Sequence, residues 1–268
     1  MCALTRLNRA NYYRWLKRVA PGGESMELRA ELQRISLAHR RYGYRRVAAA
    51  LRQAGFKVNH KRVLRLMKQD NLLAVRKRRF VVTTQSGHAL PVYSNYAKHL
   101  QIQGPDELWI ADITYIRLRH EFVYLAVVLD AWSRKVVGWA LGRHLQASLC
   151  KAALERAIEA RRPAPGLVHH SDRGVQYASA EYVSVLERHR IQGSMSRAGN
   201  PWDNARCESF MKTLKQEEIY CGEYADQADL EAHLASFIDG YYNVQRLHSS
   251  LDYRSPEEFE RQRAAPAA

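Results

Sequence analysis

Positive charge in this chain is confined to one end, and that asymmetry points to two bodies with different tasks. Residues 1–100 carry 22 Lys and Arg against four acids, Glu24, Glu27, Glu31 and Asp70, a net +18. Residues 101–268 carry 20 against 23, a net −3. A localised excess of this size describes a face that binds a polyanion, whereas charge spread evenly would serve solubility alone. DNA, RNA and an anionic membrane surface all fit, and a merely solvated basic face is the plain alternative. With 46% apolar and 26% charged residues over 268 positions, the chain can bury a sizeable core. No stretch approaches the ~18 consecutive apolar residues of a membrane span. The first twenty residues mix Arg6, Arg9, Arg14, Lys17 and Arg18 with Tyr and Trp, so they are no secretory signal, and a cytoplasmic protein is expected. Cys2, Cys150, Cys207 and Cys221 show no C-x-x-C spacing, which argues for reduced thiols rather than a disulfide scaffold or a cysteine zinc site.

Helical periodicity gives the basic region structure. One helix is expected from about Glu24 to Arg41, with Leu28, Leu32, Ile35 and Ala38 on one face. A second, about Tyr44 to Gln53, groups Val47, Ala50 and Leu51 and stops at Gly55, which tolerates left-handed φ. A third starts after Asn59, a good N-cap, and sets Val63, Leu66 and Met67 inward with Lys61, Arg62, Arg65 and Lys68 over the remaining surface. Two short helices around a tight Gly-containing turn read as helix-turn-helix, with Arg62 and Arg65 of the third helix reaching a major groove. An ordinary helical hairpin is the competing reading. Arg76-Lys77-Arg78-Arg79 and the unpatterned stretch Thr83 to Gly104 read as a basic linker able to lie along phosphates.

From Leu108 the period changes to that of strands. Leu108 to Leu118, Phe122 to Asp130 and Lys135 to Leu141 read as consecutive antiparallel strands, with turns at Arg119-His120-Glu121 and Ala131-Trp132-Ser133-Arg134. A helix, Ala147 to Arg161, a strand, Leu167 to His170, a helix, Ser179 to His189, and a strand, Ile191 to Ser194, complete an α/β mixed sheet. The remainder reads as helical, including a helix capped by Asn200 and Pro201 and another from Asp226 to Tyr242. The expected division is 1–80 basic helical domain, 81–104 linker, 105–222 core and 223–268 helical extension.

Three acids stand out by position. Asp112 interrupts an apolar strand, where an unpartnered carboxylate is costly. Asp172 follows the short strand at its C-terminal end, where α/β sites gather. Glu208 shares a helical stripe with Lys212 and Lys215, beside the buried stripe Cys207, Phe210, Met211 and Leu214. Taken singly, each has a structural reading: a buried strand aspartate, a turn cap, an i, i+4 pair with Lys212.

Taken together with their surroundings, they carry a resemblance. The segments Trp109 to Tyr115, Tyr124 to Asp130 and Ser133 to Trp139, followed by His170-Ser171-Asp172-Arg173-Gly174-Val175-Gln176-Tyr177, Ser194 to Pro201 and Asp203 to Phe210, resemble the integrase catalytic core of the retroviral integrase superfamily. With Tyr242-Asn243, Arg246 and His248, with Tyr42 to Arg46 and Asn59 to Val63, and with 35 residues between Asp172 and Glu208, the chain is similar to OrfB-type transposases of the bacterial insertion-sequence-three family. The resemblance implies a ribonuclease-H-like, mixed five-stranded sheet behind an all-α helix-turn-helix domain. It implies an enzyme that binds the terminal repeats of its element, cleaves one strand and joins the freed 3′-hydroxyl to target DNA. In family terms Asp112, Asp172 and Glu208 hold two Mg²⁺ ions, with Mn²⁺ as a substitute, and Ser171 and Ser196 are not nucleophiles.

The DNA contacts expected on this basis are Arg45, Arg46, Lys61, Arg62, Arg65, Arg197, Asn200, Lys212 and Lys215, with Asp203 in the same loop. His169, His170 and His248 are read as structural or close to DNA, because hard oxygen ligands suit Mg²⁺ and no zinc spacing is present. Asn243, Arg246 and His248 have no role assigned by sequence. Family likeness further implies a homo-oligomer on DNA, a bacterial cytoplasmic, nucleoid-associated location, and an upstream-frame protein as partner or fusion, since the chain shows no heptad run and starts near where that frame would end. The competing functions are a ribonuclease-H-like nuclease that does not join, and a domesticated DNA-binding protein with a silent site.

Overall fold

Each amphipathic run of the basic region closes on its neighbours through one apolar stripe. The computed structural model describes Tyr13 and residues 24–74, 93–196 and 204–264, and it divides into two units, Met1–Arg78 and Arg79–Ala268. In the first unit α1 (Glu24–Ala38), α2 (Tyr44–Gln53) and α3 (His60–Gln69) pack together. Leu28, Leu32 and Ile35 are buried with Val47, Ala48, Leu51, Val63, Leu66 and Met67. The first helix is shorter than the expected run to Arg41: it stops at Ala38, which is exposed, and residues 39–41 form a turn in which Tyr42 N donates to His39 O at 2.9 Å. Between α2 and α3, Gly55 has φ +89°, and Phe56 N reaches back to Leu51 O at 2.9 Å, a closure that a left-handed residue makes possible. Asn59 caps α3 by accepting from Lys61 N at 2.9 Å.

The second unit is built on a five-stranded sheet of order β3-β2-β1-β4-β5, with β1 (Leu108–Arg117), β2 (Phe122–Asp130), β3 (Val136–Gly142), β4 (Val168–Ser171) and β5 (Gln192–Met195). β1, β2 and β3 are antiparallel, while β4 and β5 run parallel to β1. The β1 and β2 sequences are nearly continuous apolar runs because both faces are covered. On one face lie α6 (Ala205–Leu214) and α7 (Gln227–Ala235), through Cys207, Phe210, Leu214, Leu230 and Leu234. On the other lie α4 (Ala147–Arg161) and α5 (Ala180–Arg188), through Leu154, Ala157, Tyr182 and Leu186. Gly138 permits the close approach of α4 to β3: a Cβ there would stand 2.3 Å from Ala153 O. The final helix, α8 (Pro256–Ala264), is pinned by Arg161, which pairs with both Asp106 and Glu260 at 2.8 Å.

The expected strands and helices appear in this order, with ends displaced by one residue at several places. The structure departs from the linker expectation for 93–104. There Tyr96–His99 forms a 3-10 turn whose Tyr96 and Ala97 amides donate to Ser194 Oγ, and Ala97 and Ile102 pack on the core. The rest of the expected linker, 81–92, lies outside the described residues, as does the cap Asn200-Pro201. The helix that bears Glu208 begins at Ala205 behind Asn204. Cys150 and Cys207 are buried thiols, and Cys221 Sγ donates to Gln216 O at 3.4 Å.

His169 of β4 is buried against Tyr182, whose hydroxyl is 2.9 Å from Nε2. Burial, and secondarily the neighbouring His170, lowers its pKa from 6.5 to about 3. The folded chain therefore declines a proton that the unfolded chain accepts, and stability falls as pH drops below about 6.5, levelling off near 3. The expected loss through this group is about 2 kcal/mol between pH 6.5 and 5, at ~1.4 kcal/mol per pH unit. Urea unfolding of the wild type and His169→Gln across that window checks it. If the two lose stability in parallel, His169 is not the source.

Candidate active site and nucleic-acid surfaces

Strand register brings the first two acids together. β1 and β4 pair in parallel as Leu108↔Val168, Trp109↔His169 and Ile110↔His170. Carried two residues further, that register sets Asp172 level with Asp112, and paired strands lie about 4.8 Å apart. Asp112 is half-buried on the face covered by α6 and accepts from Ile113 N at 2.9 Å. Asp172 accepts from Gly174 N at 2.9 Å, in a turn so tight that a Cβ on Gly174 would lie 2.9 Å from the same carboxylate oxygen. Glu208 is exposed on α6, one residue beyond buried Cys207.

The Asp112 carboxyl senses the other two acids. Burial first, then the charges of Asp172 and Glu208, push the Asp112 carboxyl up to about 7, against the opposing effects of the Ile113 amide and Lys215. The same three charges act on Cys207, whose thiol is raised well above its usual value mainly by burial, so it is an inert packing group. Among the described residues no three Asp, Glu, His or Cys side chains already stand in a metal-ligating arrangement. What is present is a donor set of hard carboxylate oxygens, two of them side by side and the third on a helix packed over them. Such a set suits Mg²⁺, and like charges at this spacing are unfavourable without a cation.

Lys215 begins a single-turn π-helix, Lys215–Ile219, directly after α6. Its ammonium lies 5.1 Å from the centroid of the Tyr115 ring, and burial lowers its pKa while Asp112 opposes that shift. Its charge therefore reaches Asp112. Lys212 is exposed. Ser171 and Ser196 are buried, and their hydroxyls donate to the carbonyls of Asp172 and Ser171. His170 Nδ1 is 2.9 Å from Ser194 Oγ. Arg197, Asn200 and Asp203 lie outside the described residues.

Asn243, Arg246 and His248, which sequence left without a role, tie the helical extension to the core. Asn243 grips β3 at one residue, accepting from Val136 N at 2.9 Å and donating to Val136 O at 3.0 Å. Arg246 makes a buried two-pronged pair with Glu217 of the π-helix, at 2.7 and 2.8 Å, and the guanidinium also lies over the Tyr242 ring. His248 N donates to Arg254 O, and its ring meets that of Tyr242 edge-on. The segment behind Glu208 is thus clamped from the C-terminal side, a connection across 29 residues of sequence that no local pattern announces.

In the helical unit, Arg45, Lys61, Arg62 and Arg65 are exposed. Arg45 lies 5.3 Å from the centroid of the Tyr44 ring, and Arg46 lies 5.7 Å from that of Tyr42. Two of the four acids are spent within the unit, Asp70 on Arg29 and Glu31 on Arg34. Among the described residues none pairs with Lys61, Arg62 or Arg65, so the outer face of α3 keeps its charge.

The sheet order, with helices on both faces, and the separate basic helical unit define the class: an integrase core accompanied by a helix-turn-helix. Residues 102–201 and 189–256 match models described as integrase core domain, and residues 24–80 match an HTH-like domain. The chain is 35% identical over 264 residues to the "Insertion element IS600 uncharacterized 31 kDa protein" of Shigella sonnei, covering 97% of each. It is 35% identical over 271 residues to "Transposase InsF for insertion sequence IS3A" of Escherichia coli, covering 99% of this chain and 94% of that one. A chain of the simian T-cell lymphotropic virus intasome shares the fold, with TM-score 0.52, 16% identity and coverage of 89% of this chain and 77% of that one. The chain belongs to the transposase family of IS3-type insertion sequences.

Proposed function

We propose that the chain is the DNA strand-transfer enzyme of its element, with Asp112, Asp172 and Glu208 as its catalytic acids. The observation that carries this reading is that the charges of Asp172, from the end of β4, and Glu208, on α6, both reach the Asp112 carboxyl of mid-β1 and add to the burial that pushes it up to about 7. Two divalent ions, Mg²⁺ or Mn²⁺ in its place, held by these acids would supply an activated oxygen nucleophile and neutralise charge at phosphorus. In the first step a water oxygen attacks a phosphorus at the element end, and the 3′-oxygen leaves as a hydroxyl. In the second, that 3′-oxygen attacks a target phosphodiester, and one P–O bond forms as one breaks, so no external energy source is needed. No residue becomes covalently attached to DNA, which agrees with the buried, carbonyl-bonded state of Ser171 and Ser196.

The remaining parts follow from charge. The unit of residues 1–80 holds the terminal repeats, Arg62 and Arg65 in the major groove with Lys61, Arg45 and Arg46 on phosphates, and 81–104 leads to the core at 105–222 with its extension at 223–268. Lys212 and Lys215, together with Arg197 and Asn200, meet the DNA end. The enzyme works as a homo-oligomer on DNA in the bacterial cytoplasm, at the nucleoid, with the upstream-frame protein as partner or fusion. Labelled duplex carrying the element's own ends, incubated with Mg²⁺ and target DNA, is expected to yield nicked and then joined products. Nicking without joining would instead favour the nuclease reading, and neither product would favour the silent DNA binder. Arg62→Ala with Arg65→Ala is expected to weaken end binding by about 10-fold or more, at ~1–3 kcal/mol per lost base contact. Metal-dependent nicking of generic DNA should survive in that variant, and unchanged end binding rejects the recognition-helix assignment.

A further inference from the structure

One pocket on the α6 face of the sheet gathers two cations that form no ion pair among the described residues, although Arg206 senses the charge of the buried Asp130 carboxylate. Its floor is Leu108 and Ile110 of β1, and its polar wall is Arg134 and Arg206 with the hydroxyl-bearing Ser209, Ser249 and Ser250. Both arginines are half-buried, and neither forms an ion pair among the described residues. Arg134 is presented by a rigid turn. The buried Asp130 carboxylate accepts from Trp132 N, Ser133 N and Ser133 Oγ, and Arg134 itself sits at φ +64°. The same carboxylate also accepts from Asp106 N, so its charge is already shared among four donors, three in its own turn and one from the segment before β1. Burial, then the neighbouring Arg206, lowers the Arg134 pKa. Two guanidinium groups brought together at that cost, with three hydroxyls beside them, form a receptor for an anion rich in acceptor oxygens.

We propose that this pocket binds a phosphate group, held by Arg134 and Arg206 with Ser209, Ser249 and Ser250, and that in the working enzyme it is a backbone phosphate of the DNA strand next to the one being cut. The second half of this statement rests on the transposase reading above. Its location supports that half. Ile110 and Asp112 lie on the same face of β1 two residues apart, about 7 Å along the strand. Ser209 directly follows Glu208 on α6. A single DNA strand, with a phosphate every ~3.4 Å of helix axis, can span both places.

The test uses the full-length chain and the double variant Arg134→Asn with Arg206→Gln, since Asn accepts the left-handed φ at 134. Inorganic phosphate is titrated while the thermal midpoint is followed, and affinity for duplex carrying the element ends is measured across a range of salt. The proposal expects phosphate to raise the midpoint of the wild type and not of the variant. It expects the variant to bind DNA about 10-fold more weakly, with the slope of log K against log salt reduced by about 1. A folded variant with wild-type DNA affinity and slope overturns the DNA assignment even if phosphate still discriminates the two proteins, and a wild type indifferent to phosphate overturns the site itself. Should the double variant not fold, Ser249→Ala with Ser250→Ala, both exposed, provides the same comparison, with a DNA affinity loss of about 3-fold expected and no loss overturning the assignment. Failure of the strand-transfer reading is recognised separately, as absence of joined product from the wild type.

Discussion

Glu208→Gln is expected to abolish strand joining in a protein that remains folded and still binds its element ends. The side chain is exposed, and α6 is held to the sheet by Cys207, Phe210, Met211 and Leu214, none of which the substitution touches. An isosteric amide at such a position changes stability by no more than about 0.5 kcal/mol. What it removes is one of three negative charges. If that charge helps hold the ions that stabilise the developing charge at phosphorus, a contribution of several kcal/mol goes with it. At about 1.4 kcal/mol per factor of ten, the expected loss is roughly 1,000-fold or more in joining rate. Single-turnover joining on pre-cleaved ends, with end binding measured in parallel, separates the chemical step from DNA capture. Undiminished joining by the variant would remove Glu208 from the catalytic set, and an equal loss of binding would make it a DNA contact instead.

How much of this was legible in sequence depended on the range of each interaction. The order of strands and helices in the core was readable because period and turn chemistry are local: Phe122–Asp130 and Ala147–Arg161 have the bounds that their apolar patterns indicated. Helix α1 was overextended because Ala38 continues the apolar spacing, although it is exposed and none of the described residues buries it. Residues 93–104 looked like linker because what anchors them is a serine about 100 positions away, Ser194. The acids could be singled out by an odd residue in an apolar strand, a strand end and a helix stripe. That Asp172 stands level with Asp112, however, is a matter of the parallel β1–β4 register, which no single segment encodes. Arg134 and Arg206 escaped notice for a related reason: each is an unremarkable arginine in its own segment, one in a hairpin turn and one in a helix. Only the pocket that they share makes them interesting.

The same logic gives Arg246, silent in the sequence, the largest expected effect on stability. Its side chain is 3% exposed and that of its partner Glu217 is 9% exposed, so neither charge has ready access to water if the other is removed. Burial opposes the charge on Arg246, but the pair with Glu217 more than compensates and its pKa is raised. A pair of this kind contributes little net stability compared with apolar residues of the same volume, yet breaking one half is costly. Arg246→Ala should therefore destabilise the core unit by about 3–5 kcal/mol, because Glu217 is left buried without its partner and the packing over Tyr242 is lost. Arg246→Met with Glu217→Leu should recover most of that loss, since the double variant strands no charge. Urea unfolding of the wild type, the single and the double variant decides the matter. A single variant within about 1 kcal/mol of wild type would mean that water or the Tyr241 hydroxyl, which already donates to Glu217 at 3.2 Å, suffices for its charge, and that the clamp behind Glu208 is looser than its geometry implies. A double variant as unstable as the single one would locate the stabilisation in the shape of the arginine itself, through its stacking on Tyr242, rather than in the neutralisation of Glu217.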